Sequence, residues 1–310
     1  MKIKYTYSVF ILYSLCLMMN IPAFSQQQIQ ETQFLYNTNV INPGYAGYND
    51  KMQFIASHRM QWVGLEGAPV TQTLTFGLPL LNNKLNAGAY VCNESIGAKG
   101  LTTLQGNISY HLHLPDGFLS FGIRGGLINW RVKRSEMNYH DPNDPSSLVN
   151  SANSMVADFD AGIAFSKKGF LFGASAFNMN EPVFFNSGSG DINQLILHCF
   201  SYAGYRFKLN DKLTLRTTAL VKYVKGAPLN YEGNIALIIK DKFHTAVTYR
   251  SSGMLGIMMQ MFLSDKLHFG YSFDYTINDL KNYAPAGTHE IFIGYNIFAK
   301  GKPMVTPRFL

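Results

Sequence analysis

The stretch from Leu255 to Tyr275 restricts the fold of this chain more than any other. Two arms flank a tight polar turn at Ser264, Asp265 and Lys266. In the second arm Leu267, Phe269, Tyr271, Phe273 and Tyr275 alternate with His268, Gly270, Ser272 and Asp274. Leu255, Ile257, Met259, Met261 and Leu263 form a matching apolar row in the first arm. Successive side chains of a strand point to opposite faces, so each arm has one apolar face and one small or polar face. Each arm has roughly the 9 residues that a tilted strand needs to cross a bilayer. A soluble sandwich would alternate in the same way, so the hairpin by itself leaves both folds open.

The recurrence of this unit decides between them. From Gln53 onward the apolar–polar alternation repeats, and the connections fall into two alternating classes. Short turns occur at Asn82-Asn83-Lys84, Pro115-Asp116-Gly117, Lys167-Lys168, Asn210-Asp211-Lys212, Asp241-Lys242 and Ser264-Asp265-Lys266. Their Gly, Pro, Asn and Asp residues suit hairpin geometry. Longer connections are expected at 63–70, 93–99, 133–156, 178–194, 226–228, 251–254 and 276–288. Short turns on one rim and long loops on the other are the pattern of an outer-membrane barrel. Counting arms gives an all-β, transmembrane antiparallel β-barrel of about fourteen strands, with both ends on the short-turn, periplasmic rim.

Composition agrees. Charged residues make up only 15% of the chain and aromatics 14%, whereas a soluble protein carries about a quarter charged residues. Beyond the N-terminus no apolar run reaches the length of a spanning helix, so the closed barrel is the remaining membrane architecture. Lys2 and Lys4, the apolar run from Val9 to Met19, and Ala23 and Ser25 ahead of Gln26 read as a secretory signal over residues 1–25. A single anchoring helix is the competing reading, but the run is too short to span. Cys16 follows Leu15 rather than a small residue, which argues against lipidation. Segments are then expected at 1–25 (signal), 26–52 (periplasmic or lumenal), 53–298 (barrel) and 299–310 (tail). Without Lys2 and Lys4 the net charge falls to +5 with the basic residues scattered, a poor match to a nucleic-acid partner.

In a barrel, the apolar face meets outer-membrane lipid and the polar face lines the lumen. Leu119, Phe121, Ile123 and Leu127 oppose Ser120, Gly122, Arg124 and Gly126; Leu213, Leu215, Val221 and Tyr223 oppose Thr214, Arg216, Thr218 and Lys222. A cation on the lipid face at the midplane costs roughly 2–4 kcal/mol. Arg124, Arg216, Lys222 and Arg250 are therefore expected in the lumen, with Asp274 and Glu290. Arg59 and Gln61 share one parity, and Arg59 is placed to pair with Asp274 or Glu290. Such a pair would rigidify the barrel or close its pore. If Arg59 instead touches a partner, its loss should release the partner and leave assembly intact. Trp62, Val63, Gly64, Leu65, Gly67 and Pro69 sit where the first strand becomes an outward loop, and an aromatic anchor there suits a partner surface. Trp62 fits an interfacial aromatic belt equally well.

Candidate chemistry is sparse. No nucleophile elbow, zinc-protease helix or phosphate loop occurs, so neither an enzyme nor a cofactor is expected. His111 and His113 lie two apart on one strand and read better as solvated lumenal histidines than as a metal pair. Asp141, Asp144, Asp158 and Asp160 lack the glycine and bidentate Glu of a calcium loop and read as an exposed polar loop. Cys92 and Cys199 fall in separate strands and read as small buried hydrophobes rather than a disulfide.

Three segments carry a family resemblance: Asn42-Pro43-Gly44-Tyr45-Ala46-Gly47, the run His58 to Thr73, and Tyr271 to Thr276 with Gly287-Thr288-His289-Glu290-Ile291. Together they resemble the PorP/SprF family of type IX secretion system outer-membrane proteins. The family's Asn-Pro-Ala-Tyr-Ala-Gly appears with Gly44 for the first Ala. Its Arg-Xaa-Gln-Trp-Xaa-Gly and Gly-Ala-Pro-Xaa-Thr-Gln are intact from Arg59 to Gln72, and its Tyr-Ser-Tyr-Asp appears with Phe273. The likeness extends from about Gln33 to Pro307-Arg308-Phe309-Leu310. It implies a fourteen-stranded barrel without enzymatic activity. Some members serve a secreted adhesin or repeat protein by binding its C-terminal sorting domain. Others are parts of the secretion or gliding machinery that touch its periplasmic lipoproteins. The first role is the expectation here, and a passive porin is the third reading.

Overall fold

The computed structural model describes residues 31–48, 51–133, 152–185 and 192–298. The expected signal at 1–25, the tail 299–310, and Asp141 and Asp144 lie outside these residues. Fourteen strands close into one antiparallel barrel. Its first half comprises β1 (Lys51–Met60), β2 (Val70–Leu80), β3 (Leu85–Ile96), β4 (Lys99–Leu114), β5 (Gly117–Val132), β6 (Ala152–Lys167) and β7 (Phe170–Phe177). A small hairpin of β8 (Val183–Phe185) and β9 (Ile192–Gln194) stands apart from the barrel sheet. The barrel resumes with β10 (His198–Lys208), β11 (Leu213–Val224), β12 (Asn230–Ile239), β13 (Phe243–Arg250), β14 (Met254–Phe262), β15 (Leu267–Thr276) and β16 (Thr288–Phe298). Closure comes from β1, which pairs with β2 on one side and β16 on the other.

The alternation of the sequence becomes the inside and outside of this wall. Along β15, Phe269, Tyr271 and Tyr275 are exposed, while His268, Gly270, Ser272 and Asp274 are buried. The outward row continues around the barrel with Leu104, Ile108, Ile123, Ile235 and Val247, each more than half exposed to what would be lipid. Arg124, Arg216, Lys222, Arg250, Asp274 and Glu290 all point inward, none more than 5% exposed. Cys92 is buried, whereas Cys199 is only half-buried, on the outward parity beside exposed Tyr223. The two cysteines are free.

The structure revises three local readings. The first strand begins at Lys51 rather than 53. The connection expected at 93–99 is only Gly97-Ala98, because Asn93, Glu94, Ser95 and Ile96 stay paired with Thr102, Leu101, Gly100 and Lys99. Polar residues there continue the ladder past the apolar belt, and Thr102 donates a side-chain hydrogen bond to Asn93. Asp158 and Asp160 are not in an exposed loop but on β6, 2% and 3% exposed in the lumen.

Residues 31–48 occupy the lumen. They hold one four-residue helix, α1 (Thr38–Ile41), and a 3₁₀ turn over Pro43–Tyr45. Phe34, Leu35, Val40, Ile41 and Tyr45 pack with the inward residues Tyr90, Phe118, Phe177, Phe200, Tyr202 and Leu220 to make the largest apolar core among the described residues. A lumen lined only with polar groups would fill with water. Here it carries enough inward aromatics to bury a segment of the chain itself.

Candidate functional site

The site is built from the lumenal segment, the wall that holds it, and the loop above it. Its upper end is an ion cluster. Arg59, 1% exposed near the end of β1, donates through Nη1 to Glu290 Oε2 at 2.8 Å and through Nη2 to Asp274 Oδ2 at 2.9 Å. The sequence offered Asp274 or Glu290 as alternatives; the guanidinium fork reaches both, from two adjacent strands. It also donates to Thr32 Oγ1 at 2.9 Å. Glu290 in turn accepts the backbone N–H groups of Thr32 at 2.9 Å and Gln33 at 3.1 Å, and the Thr32 hydroxyl donates to Asp274. Arg250 Nε donates to Glu232 at 2.8 Å, and Thr73 donates to Glu31 at 2.7 Å.

Four carboxylates (Glu31, Glu232, Asp274, Glu290) thus meet three cations (Arg59, Lys222, Arg250). Burial, with Glu290 nearby, pushes the Glu31 carboxyl up to about 8.

The lower end is a seat for Asn42-Pro43-Gly44. Gly122 of β5 and Gly162 of β6 face each other across the ladder. A Cβ on Gly122 would lie 2.4 Å from Gly44 N and 2.5 Å from Pro43 O, and one on Gly162 would lie 2.2 Å from Asn42 Oδ1. These glycines are needed for close backbone approach rather than for turn geometry. Around the seat, Asn42 donates to Ile163 O at 2.8 Å, Ser120 to Gly44 O at 2.6 Å and Ser175 to Ile41 O at 2.6 Å. Asn107 donates to Pro43 O at 3.2 Å and Ser109 to Ala46 O at 3.0 Å. Midway, Arg124 donates through Nε to Asp160 at 2.7 Å and through Nη1 to Asn39 O at 3.1 Å.

His111 is buried and lies 3.3 Å from Gly44 O, so it is not the solvated histidine expected, while His113 is exposed at the strand end. Arg216 stacks on Tyr36 at 4.9 Å, and Lys222 lies 5.6 Å from the Phe200 ring centroid. Every lumenal cation named from the sequence therefore touches the segment or the wall beside it.

The upper loop spans residues 61–69. Gln61 N–H donates to Pro69 O at 2.9 Å, which closes the loop at its base. Trp62 sits in the left-handed region at φ 47°. A bulky residue adopts that conformation only when its surroundings dictate it. Here its N–H donates to Thr288 Oγ1 at 3.0 Å, and Val63 N–H donates to Gly287 O at 2.8 Å. At the far side Gly97 N–H donates to Gly67 O at 2.9 Å. Gly64 and Gly67 are exposed, Trp62, Val63 and Leu65 are half-buried, and Pro69 is buried. The structure thus divides the residues named together from the sequence. Arg59 belongs to the lumenal cluster, and 61–69 form an outward loop pinned to its neighbours.

The Asn42–Gly47 and Arg59–Gln72 motifs therefore occupy the two ends of one built feature. The family model described as type IX secretion system membrane protein PorP/SprF matches residues 23–295, which include both. The chain belongs to the PorP/SprF family. This PorP/SprF barrel is accordingly a type IX secretion membrane protein of the outer membrane. No curated protein matches the chain. Solved barrels are similar to it at low identity. Omp33 of Acinetobacter baumannii is 10% identical with a TM-score of 0.44, over 80% of this chain and 100% of that one. The toluene transporter TbuX of Ralstonia pickettii is 7% identical with a TM-score of 0.49, over 82% and 91%.

Glu31, Thr32, Gly162 and Glu232 complete the site and were not among the residues singled out from the sequence; Asp160 was read as part of an exposed loop, Gly122 only as a small lumenal residue, and Gln33 and Thr73 only as ends of the family-like segments. The one position at which this PorP/SprF chain departs from its first family motif is Gly44. A Cβ there would meet only Asn42 Oδ1 at 3.0 Å and otherwise lie at 3.5 Å or beyond. Restoring the family residue, Gly44→Ala, is expected to change stability by less than about 1 kcal/mol. Chemical unfolding of the detergent-solubilised barrel checks this. A loss of several kcal/mol would mean that the seat is tighter than its geometry indicates.

Proposed function

We propose that this barrel is a non-enzymatic outer-membrane anchor that binds a secreted surface protein, a large adhesin or repeat protein, through its C-terminal sorting domain. The observation that carries the proposal is the ordered loop 61–69 standing above a lumen occupied by residues 31–48. A passive pore needs an open path, and a buried apolar core with an ion cluster above it leaves no wide one. A binding platform needs a surface fixed before the partner arrives, since ordering a loop on binding costs affinity. Loop 61–69 is tied to the first residue of β16 through Trp62, to the β15–β16 loop through Val63 and to the β3–β4 turn through Gly67. Beside it the β15–β16 loop presents Tyr283, 69% exposed. Aromatic residues on a rigid frame are the usual anchors of protein interfaces.

The test is a mild-detergent pull-down of the tagged protein from its native outer membrane, with bound proteins identified by mass spectrometry. Wild type should retain a large secreted protein through its C-terminal domain. The Leu65→Asp/Tyr283→Asp variant should lose it while still migrating as a folded barrel without boiling. Recovery of periplasmic lipoproteins in place of a secreted protein would overturn the anchor in favour of a machinery role. An empty eluate from wild type would overturn both.

A further inference from the structure

The short-turn rim carries a repeat that the lumen and the upper loop do not use. Four of its turns read apolar-Xaa-Asx-Lys: Leu81-Asn82-Asn83-Lys84, Leu209-Asn210-Asp211-Lys212, Ile239-Lys240-Asp241-Lys242 and Leu263-Ser264-Asp265-Lys266. A fifth, between β6 and β7, supplies Lys167 and Lys168. The leucines are unusually open for apolar residues in turns, Leu81 being 71%, Leu209 56% and Leu263 58% exposed. The lysines are fixed in level by their turns. Lys84 N–H donates to Leu81 O, Lys242 N–H to Ile239 O, Lys212 N–H to Asn210 Oδ1 and Lys266 N–H to Ser264 Oγ.

The charge on this rim is one-sided. Among the described residues, exposed lysines at positions 84, 167, 168, 208, 212, 240, 242 and 266 stand against exposed aspartates at 116, 211, 241 and 265. On the opposite rim the described residues are nearly balanced. There, counting half-buried groups with exposed ones, Lys99, Arg131, Lys133, Lys225 and Lys281 face Glu66, Glu94, Glu181 and Asp279, whereas the same count on the short-turn rim only adds Arg206 to the basic side.

We infer that this rim is a binding surface for anionic phospholipid headgroups of the inner leaflet. Short barrel turns face the periplasm and lie flush with the membrane. At that level a leucine reaches the acyl boundary, while a lysine three residues later extends its stem along it and holds its ammonium among the headgroups. Lysines near an anionic leaflet attract its lipids within a Debye length. The distribution around the wall separates lipid from a protein partner. The basic turns join β2–β3, β6–β7, β10–β11, β12–β13 and β14–β15, five of the six short turns and so nearly the whole circumference. A lipid annulus contacts every side of a barrel, whereas one docked acidic protein would favour a sector. The sixth turn carries Asp116, which lies 3.8 Å from Lys168 Nζ and is drawn into the same basic ring.

The test uses the full protein in nanodiscs of phosphatidylethanolamine mixed with phosphatidylglycerol, with the lipid retained on the barrel quantified after mild-detergent extraction. Wild type should hold phosphatidylglycerol enriched at least about threefold over the bulk mixture, falling towards bulk as salt rises. The K84Q/K212Q/K242Q/K266Q variant should lose most of that enrichment, whereas a K99Q/K225Q/K281Q control on the opposite rim should keep it. Wild type at the bulk ratio, or equal loss in the control, overturns the inference. So does a rim variant that keeps its lipid but sheds an acidic protein from the native membrane. Unboiled gel migration reports whether each variant is folded. The salt series on wild type decides the matter even if the fourfold variant does not assemble.

Discussion

Replacing Arg59 with alanine is expected to destabilise the barrel by about 3–5 kcal/mol, the cost of breaking a buried ion pair from one side. The size of the effect follows from what the guanidinium touches. Asp274 and Glu290, each no more than 2% exposed, lose their shared counter-charge, and Thr32 loses a donor. Arg250 cannot substitute, since its closest approach to Asp274 is 3.8 Å and its Nε is already given to Glu232. Arg59→Lys should recover only part of the loss, because one ammonium cannot serve two carboxylates as a planar fork does. Glu290→Gln in the Arg59→Ala background should recover a further part by removing one uncompensated charge. Denaturant unfolding in detergent, followed by unboiled gel mobility, measures all three. An Arg59→Ala barrel as stable as wild type that nonetheless sheds its partner would make Arg59 a contact residue. Its burial beneath the upper loop speaks against that outcome.

The Arg59 cluster also marks how far sequence reasoning reaches. Parity placed Arg59, Asp274 and Glu290 on inward faces, because strand alternation is a strictly local property. It could not supply Thr32 and Gln33, whose role depends on a segment turning back into the lumen, which no periodicity encodes. Gly122 and Gly162 were equally opaque. In an alternating strand a lumenal glycine reads like any other small inward residue. Only the β5–β6 register, which sets the two opposite each other, makes them a seat. The hairpin of β8 and β9 escaped because its strands are three residues each, too short for a period to register. Asn93, Glu94 and Ser95 were misplaced for the opposite reason. Polarity usually marks a loop, but a barrel wall that rises past the lipid has no need of apolar residues there. The Asn42–Gly47 motif was legible as the turn-rich end of a periplasmic or lumenal segment, but composition alone left those two places open.

That seat yields the second large effect. Gly122→Ala is expected to convert a barrel with little conductance into one that opens to small solutes. The added methyl would collide with backbone atoms of Pro43 and Gly44 at 2.4–2.5 Å, so it is not relieved by rotating a side chain. Either β5 or the lumenal segment must move. β5 is held by two full ladders, to β4 and to β6, along its 16 residues. The segment around Gly44 is held by a handful of hydrogen bonds, each worth a net of about 1 kcal/mol. Overpacking of this kind costs roughly 1–3 kcal/mol, enough to lift residues 42–46 from the wall while the barrel stays closed. Ser120, Ser175 and Asn107 would then face water instead of the carbonyls they now serve. The Gly122→Ala/Gly162→Ala double variant should conduct more, and Phe121→Ala, on the outward face of the same strand, should not. Planar-bilayer recordings and liposome swelling read both. A folded Gly122→Ala barrel that conducts no more than wild type would mean that the glycine pair accommodates the segment without holding it. The ion cluster around Arg59 alone would then keep the lumen shut.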